Sequence, residues 1–476
     1  MERVEFHQPF EVIAEQFAGD KGTAVLLSGT DLDCARYHIL AARPWLTMVG
    51  KGENLTINSR GEEFKFNGDP LECIARVTEH FKIMKPEVMD TDALKPVSAG
   101  LFGYFAYDLK DSIERLPRTC IDHGLPDLFL FSPSIILLFD KIKEDFHLSI
   151  PVIPSIYSGE TAANRVERVR TLFFKKVSVF NSSAKKNFFH GLIKDSSGLG
   201  ASAEDCIKKK NGTRSSEKDF MIESSGLKSN FSKPEYINAV EKIIEYIKAG
   251  DIYQVNLSQR FTAQFKGDSY SLFLECFKKN PAPFFAFINA DDHQIISTSP
   301  ERFIKRDGEK IETRPIKGTL PRGQDPLEDK KLAEKLLKSF KDDAELSMIV
   351  DLMRNDFGKV AKGGTVRVKE HKMLEPYDNV FHLVSVVTAL LDKDKTSIDL
   401  IKAAFPGGSI TGCPKIRAME IIDELESVKR HIYTGSIGYL SFHNTMDLSI
   451  AIRTATVFHK ELSFSVGGGI VYDSDP

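Results

Sequence analysis

The segment Glu312-Thr313-Arg314-Pro315-Ile316-Lys317-Gly318-Thr319-Leu320-Pro321-Arg322-Gly323 holds a lysine in an unusually stiff stretch of backbone. Pro315 fixes its own φ and pushes Arg314 into extended geometry, while Gly318 permits a tight turn or a close approach to a ligand. An amine held in one place is a candidate nucleophile, provided it is neutral. Upstream, Ser299-Pro300-Glu301-Arg302-Phe303 sets a carboxyl just past a strand end, where it can exchange a proton. Glu345, in Asp343-Ala344-Glu345-Leu346, offers a hard oxygen to a divalent cation. His382 stands in the apolar run Phe381-His382-Leu383-Val384-Ser385, and Arg453 in the strand-like Ile450-Ala451-Ile452-Arg453-Thr454-Ala455. An arginine buried there keeps its charge and needs an anion beside it. Gly467-Gly468-Gly469 opens a strand to a ligand that approaches the backbone N–H groups. Taken singly, these residues also have structural explanations: a solvated loop lysine, a hairpin acid, a helix-start acid favoured by the dipole, a core histidine. Taken together, they fit a small dicarboxylate held by Arg453, backbone amides and Mg2+.

A second glycine loop runs Phe405-Pro406-Gly407-Gly408-Ser409-Ile410-Thr411-Gly412-Cys413-Pro414-Lys415. Its glycine spacing is that of a phosphate loop, but Cys413 and Pro414 stand where that motif needs Lys and Ser/Thr, which excludes a nucleotide site. The start of a helix at Pro414 still leaves room for an anion.

Positioning these groups takes a large folded body. The chain has 476 residues, 42% of them hydrophobic and 28% charged, enough for two or three domains. A net charge of −3 gives no electrostatic reason to bind nucleic acid or an anionic membrane. Six cysteines without CxxC spacing argue against a zinc site and a disulfide framework. The N-terminus lacks an apolar signal core and no run reaches the length of a membrane span, so a cytoplasmic protein is expected.

Periodicity predicts mixed strands and helices over 1–155, including strands at Ala24–Gly29, within Ala99–Asp108, and at Ser134–Asp140. Residues 156–230 are rich in Ser, Lys, Asn and Gly and read as a polar linker, with one helix over Ala162–Lys176. Residues 231–476 form the ordered domain that carries the chemistry. A capping box at Ser232 opens a helix that Gly250 stops, and Asp251–Ser258 alternates as a strand. Strands follow at Phe284–Asn289, Gln294–Ser299, Gly435–Ser441, Asp447–Val457 and Leu462–Tyr472, with helices at 326–340, 342–355 and Pro414–Leu425. The expected fold is α+β, with packed, largely antiparallel sheets flanked by outer helices.

In this order the motifs resemble the chorismate-utilising enzymes. That family contains anthranilate synthase component I, aminodeoxychorismate synthase component I, and the isochorismate and salicylate synthases. The resemblance is carried by Asp251–Ser258, Ser299–Phe303, Pro315–Arg322, Val350–Asp356, His382–Ser385, Gly407–Glu420 and Ile452–Ala455, and it spans 232–475. Isochorismate and salicylate synthases carry a water-activating lysine where this chain has Gln254. Anthranilate synthases read Pro-Ile-Ala-Gly-Thr where this chain has Lys317. The chain is therefore most similar to the aminodeoxychorismate-forming branch.

That resemblance implies conversion of chorismate and ammonia to 4-amino-4-deoxychorismate, on the way to p-aminobenzoate and folate. Ammonia would come from a separate glutamine amidotransferase subunit. It further implies Lys317 as nucleophile, kept neutral by burial or a neighbouring cation such as Arg314, with Glu301 as general acid, His382 as an active-site histidine, and Glu345 as a Mg2+ ligand. Gly318, Thr319, Tyr433, Arg453, Gly467, Gly468 and Gly469 would contact chorismate. Ser28, with Pro281, Ala282 and Pro283, matches a tryptophan pocket of relatives. Those relatives continue past the position of Pro476 through a helix with a second metal-binding glutamate and a substrate-binding lysine. The expectation is thus a catalytic domain lacking its C-terminal helix, with impaired activity. The alternatives are anthranilate synthase component I and a truncated, inactive member acting as a binding subunit.

Overall fold

The helix Lys233–Lys248 follows its sequence signals. Ser232 accepts a hydrogen bond from the Glu235 N–H, the Glu235 side chain accepts one from the Ser232 N–H at 2.8 Å, and Pro234 sits in the first turn. Ala239, Val240 and Ile243 turn to the core, and Gly250 ends the run at φ +83°. In a computed structural model, residues 1–82, 96–117, 119–152, 161–178, 221–222 and 226–476 are described. Most of the 156–230 stretch read as a linker lies outside them. Its helix, Ala162–Ser178, packs Phe173 against Phe6 and Phe17 of the N-terminal region.

The strands form one hydrogen-bonded network with two arms. Tyr37–Lys51 and Leu128–Asp140 pair antiparallel along most of their length and carry both arms. One arm leaves Tyr37–Lys51 through Thr23–Leu27 and continues through Phe284–Asn289, His293–Ser299, Thr454–Phe458 and Glu461–Ile470 to Gln254–Lys266. The other leaves Leu128–Asp140 through Gly100–Phe105 and continues through Ser436–Ser441, Thr445–Ile450, Arg302–Asp307 and Lys310–Arg314 to Val380–Leu390. Val380–Leu390 also pairs with Ile316–Pro321 and Arg367–Pro376. Every one of these pairings is antiparallel, and helices such as Ser269–Lys279 and Phe340–Gly358 pack outside. This is the expected α+β class.

The chain also crosses directly between the arms. His293–Ser299 runs through Pro300 and Glu301 into Arg302–Asp307, and Thr445–Ile450 runs through Ala451–Arg453 into Thr454–Phe458. The single strand expected over Asp447–Val457 is therefore two strands. The break has a physical cause: to leave one sheet for the other the backbone must turn, and Arg453 takes φ +50° to do it. The strand expected from Asp251 begins its pairing at Gln254.

The described cysteines Cys34, Cys73, Cys120, Cys276 and Cys413 are free thiols. Among the described residues no helix is long and apolar enough to cross a membrane.

The glycine-rich aromatic strand Gly100–Phe105 packs as tightly as its composition suggests. Gly103 has φ +147°, and a Cβ there would stand 1.9 Å from the Phe129 carbonyl oxygen. Gly103→Ala should destabilise the protein by about 3 kcal/mol through strain and overpacking. Gly19→Ala, in open space at a helix end, should leave the thermal midpoint nearly unchanged. Thermal unfolding of the two variants side by side checks this.

Candidate active site

Both crossovers deliver a candidate site residue to the seam between the arms. Glu301 lies on the first and is only 4% exposed. Its Oε1 accepts a hydrogen bond from Ser409 Oγ at 2.5 Å, and its main-chain oxygen accepts one from the Ile450 N–H at 3.0 Å. Burial pushes its carboxyl up to about 7, against the lowering effects of Ser409, the Lys317 and Arg453 charges and the Ile316 N–H. Arg453 lies on the second crossover.

Lys317 and Thr319 flank a bulge on the strand Ile316–Pro321. Lys317 pairs with Leu383 and Thr319 with His382, with Gly318 between them at φ +74°. A Cβ on Gly318 would come within 3.1 Å of the Asp342 side chain, so the bulge lies against the first turn of the helix Phe340–Gly358. Lys317 is half-buried and makes no ion pair with any described residue.

His382 is buried between these groups. Its Nδ1 is 2.9 Å from Thr319 Oγ1 and its Nε2 is 3.4 Å from Arg453 Nη2. Burial and then the Arg453 charge pull its pKa down to about 4, so it is neutral at neutral pH. Arginine only donates; Nε2 therefore accepts, and Nδ1 carries the proton toward Thr319.

The glycine strand Glu461–Ile470 belongs to the first arm, beside Gln254–Lys266. Gly467, Gly468 and Gly469 pair with Ser258, Leu257 and Asn256. A Cβ on Gly467 would meet the Tyr433 hydroxyl at 2.7 Å, and one on Gly469 would meet Gln254 Nε2 at 2.0 Å, whereas Gly468 faces open space. Gln254 is buried, and its Oε1 has no hydrogen-bond partner among the described residues. Next to the strand Gln254–Lys266, Arg430 binds Glu426 through Nε at 2.9 Å and Nη2 at 2.6 Å. Arg430 also donates to the carbonyls of Asn256 and Ile410, while Glu426 accepts from the Ser258 N–H and hydroxyl.

Glu345 sits half-buried one turn after Asp342 on the helix that meets the Gly318 bulge. Among the described residues no three His, Cys, Asp or Glu side chains lie close enough to share a metal. A single carboxylate at a solvent-accessible place still fits Mg2+, which commonly takes one or two protein carboxylates and fills its shell with water and substrate oxygens.

Two expectations need correction. Arg453 is exposed at a turn, not buried within a strand, so water solvates its charge and no resident anion is required. Arg314, expected to help keep Lys317 neutral, is held by Asp33 at 2.6 and 2.7 Å and by Glu312 at 2.7 Å, which cancel its charge. Elsewhere, the Gly29 N–H donates to the Ala282 carbonyl, and Gly29 packs on Pro281. Ser28 and Pro283 line a cavity of about 430 Å³ with Arg36, Tyr37 and Tyr439, sharing none of the seam residues. Sequence inspection missed the bond from Ser409 to Glu301 and the Arg430–Glu426 pair. The signal for the second was present as an acid and a base four apart, but such spacing is common on helix surfaces.

The sequence profile of the chorismate binding enzyme family matches residues 35–476, and the chain belongs to that family. It is 38% identical over 441 residues to aminodeoxychorismate synthase component 1 of Escherichia coli, covering 92% of this chain and 86% of the relative. It is 35% identical over 451 residues to anthranilate synthase component 1 of Cereibacter sphaeroides, covering 93% and 82%. Anthranilate synthase component I from Streptococcus pneumoniae superposes with a TM-score of 0.71 at 30% identity, covering 94% and 90% of the two chains. MenF, the menaquinone-specific isochorismate synthase of Escherichia coli, shares the fold with a TM-score of 0.70 at 14% identity, covering 100% and 89%.

The Arg430–Glu426 pair beside the strand Gln254–Lys266 is open to direct test. Arg430→Met should cost about 3–5 kcal/mol, because it strands a buried carboxylate. The double variant Arg430→Met/Glu426→Met should recover much of that loss. Thermal or urea unfolding of the single and double variants measures the difference.

Proposed function

We propose that this chain is the chorismate-aminating component that makes 4-amino-4-deoxychorismate, the precursor of p-aminobenzoate for folate synthesis. The observation that carries this is the buried Glu301, which holds its proton near neutral pH and feels the Lys317 charge: one group able to protonate what leaves and one able to form a bond to the ring. Arg453 and the N–H groups around Gly467–Gly469 hold the two carboxylates of chorismate, with Gly318, Thr319 and Tyr433 shaping the rest of the site. Mg2+ bound through Glu345 would supply Lewis-acid stabilisation of charge at the ring carboxylate. Glu301 gives its proton to the 4-hydroxyl, which departs as water while Lys317 Nζ forms a bond to C2 and sheds a proton. Ammonia then bonds to C4 and gives up a proton, and the C2–Nζ bond breaks as Lys317 Nζ takes one up and leaves as an amine. Neutral His382 keeps Thr319 and Arg453 in place without adding a further cation. A glutamine amidotransferase subunit in the cytoplasm supplies the ammonia.

Formation of anthranilate is the second possibility, because relatives of both kinds lie at 38% and 35% identity. Incubation with chorismate, Mg2+ and ammonium should give aminodeoxychorismate by mass spectrometry, and Lys317→Ala should reduce it to background. Anthranilate as the product would refute the assignment. Glu301 must carry a proton to act, so kcat/KM should fall as pH rises through about 7. Glu301→Gln should abolish that alkaline limb along with most of the activity.

The cavity bounded by Ser28 and Pro283 has the size for tryptophan, although Pro281 and Ala282 pack against Gly29 and do not line it. Added tryptophan should raise the thermal midpoint of the protein; an unchanged midpoint would remove it as a ligand.

A further inference from the structure

The glycine loop Phe405–Lys415 has no task in the chemistry above, yet close packing and hydrogen bonds hold it in place. Gly407 and Gly408 leave no room for side chains: a Cβ would stand 2.6 Å from Ile450 Cδ1 at the first and 2.5 Å from Leu352 Cδ2 at the second. Thr411 Oγ1 donates to the Gly407 carbonyl at 3.0 Å, the Asn256 N–H donates to the Thr411 carbonyl at 2.7 Å, and Arg430 Nη1 donates to the Ile410 carbonyl at 3.0 Å. The loop is thus pinned from the helix side, the strand side and below. Ser409 sits at its apex, in the short helical turn Gly408–Ile410. Its hydroxyl makes its hydrogen bond to Glu301 Oε1, at 2.5 Å, and has no other partner among the described residues.

A serine bonded only to a buried carboxyl, on a loop that cannot move, does little for the loop itself. The geometry points to Ser409 as the positioning residue for Glu301, fixing the orientation of its carboxyl toward Lys317 and the departing group. This rests on the assignment of Glu301 as proton donor. The charged groups that face the carboxyl are Lys317 from the strand Ile316–Pro321 and Arg453 from the second crossover, with the Ile316 N–H beside them. His382, behind Arg453, is neutral at neutral pH. Both cations favour the carboxylate, and so does the Ser409 hydroxyl as donor; burial opposes all of them. Removing the hydroxyl therefore leaves burial less opposed and makes Glu301 hold its proton to higher pH. It also frees the carboxyl to rotate.

The test is the pH profile of kcat/KM for chorismate, measured on the full chain with ammonium and Mg2+. Ser409→Ala should move the alkaline limb to higher pH and lower kcat/KM at the optimum by about 10–100-fold, the scale of a small misplacement of a reacting group. Ser409→Thr, which keeps the hydroxyl, should restore both. Ser409→Cys, a weaker donor of similar size, should shift the limb the same way by less, and it serves if the alanine variant does not fold. An alkaline limb that stays in place in Ser409→Ala or Ser409→Cys, while Glu301→Gln removes it, overturns the role of Ser409 alone. A limb that survives in Glu301→Gln shows that Glu301 is not the acid, and the proposed reaction fails first.

Discussion

The seam between the arms rests on one buried ion pair. Arg430 and Glu426 are 6% and 4% exposed, so each would be costly without the other. Their remaining valences are filled almost completely. Glu426 takes the N–H and hydroxyl of Ser258, and Arg430 takes the carbonyls of Asn256 and Ile410. One pair thereby joins the strand Gln254–Lys266, the glycine loop and the turn before Tyr433. Gln254 and Asn256 face the glycine strand, Ser409 reaches Glu301, and Tyr433 stands over Gly467 because these three pieces share an anchor. A hydrophobic replacement of the pair could match it in stability, but it could not specify three backbone positions at once.

The second organising constraint is topological. A strand that changes sheets must turn, and a turn exposes backbone and side chain that a regular ladder would cover. Two adjacent strands change sheets at the same level, placing Glu301 and Arg453 side by side at the seam. Two elements of the second arm complete the arrangement. Val380–Leu390 brings His382, and its partner Ile316–Pro321 brings Lys317 and Thr319 through a bulge. Groups distant in sequence meet because each sits where a ladder is interrupted.

Much of this was legible beforehand. The capping box at Ser232, the strand Phe284–Asn289 and the glycine strand follow from local rules that tertiary structure did not override. Pro315 and Gly318 correctly marked a backbone irregularity at Lys317. What could not be read was direction. Alternation over Asp447–Val457 looks the same whether the strand is continuous or changes sheets, so Arg453 was expected inside and is outside. Arg314 has the same composition-level description as Arg453, yet only the fold brings Asp33, from far upstream, onto its guanidinium. Ser409 is an ordinary serine in a glycine loop until Glu301 is set beside it.

Charge and burial divide the labour at the seam. Glu301 is almost wholly enclosed, and enclosure is what lets it keep a proton near neutral pH. Arg453 is exposed and Lys317 half-buried, so in the free protein water screens them and they impose little repulsion on each other. A dianionic ligand bound beside Arg453 and Lys317 would displace that water. Each ion pair would then strengthen as the local dielectric falls, at the moment when the negative charge that justifies two neighbouring cations arrives. The protonation of Glu301 is therefore set by the fold, while Arg453 and Lys317 remain open to whatever anion comes beside them. A carboxyl given the exposure of Arg453 would ionise in water, and an arginine given the burial of Glu301 would need a permanent counter-ion.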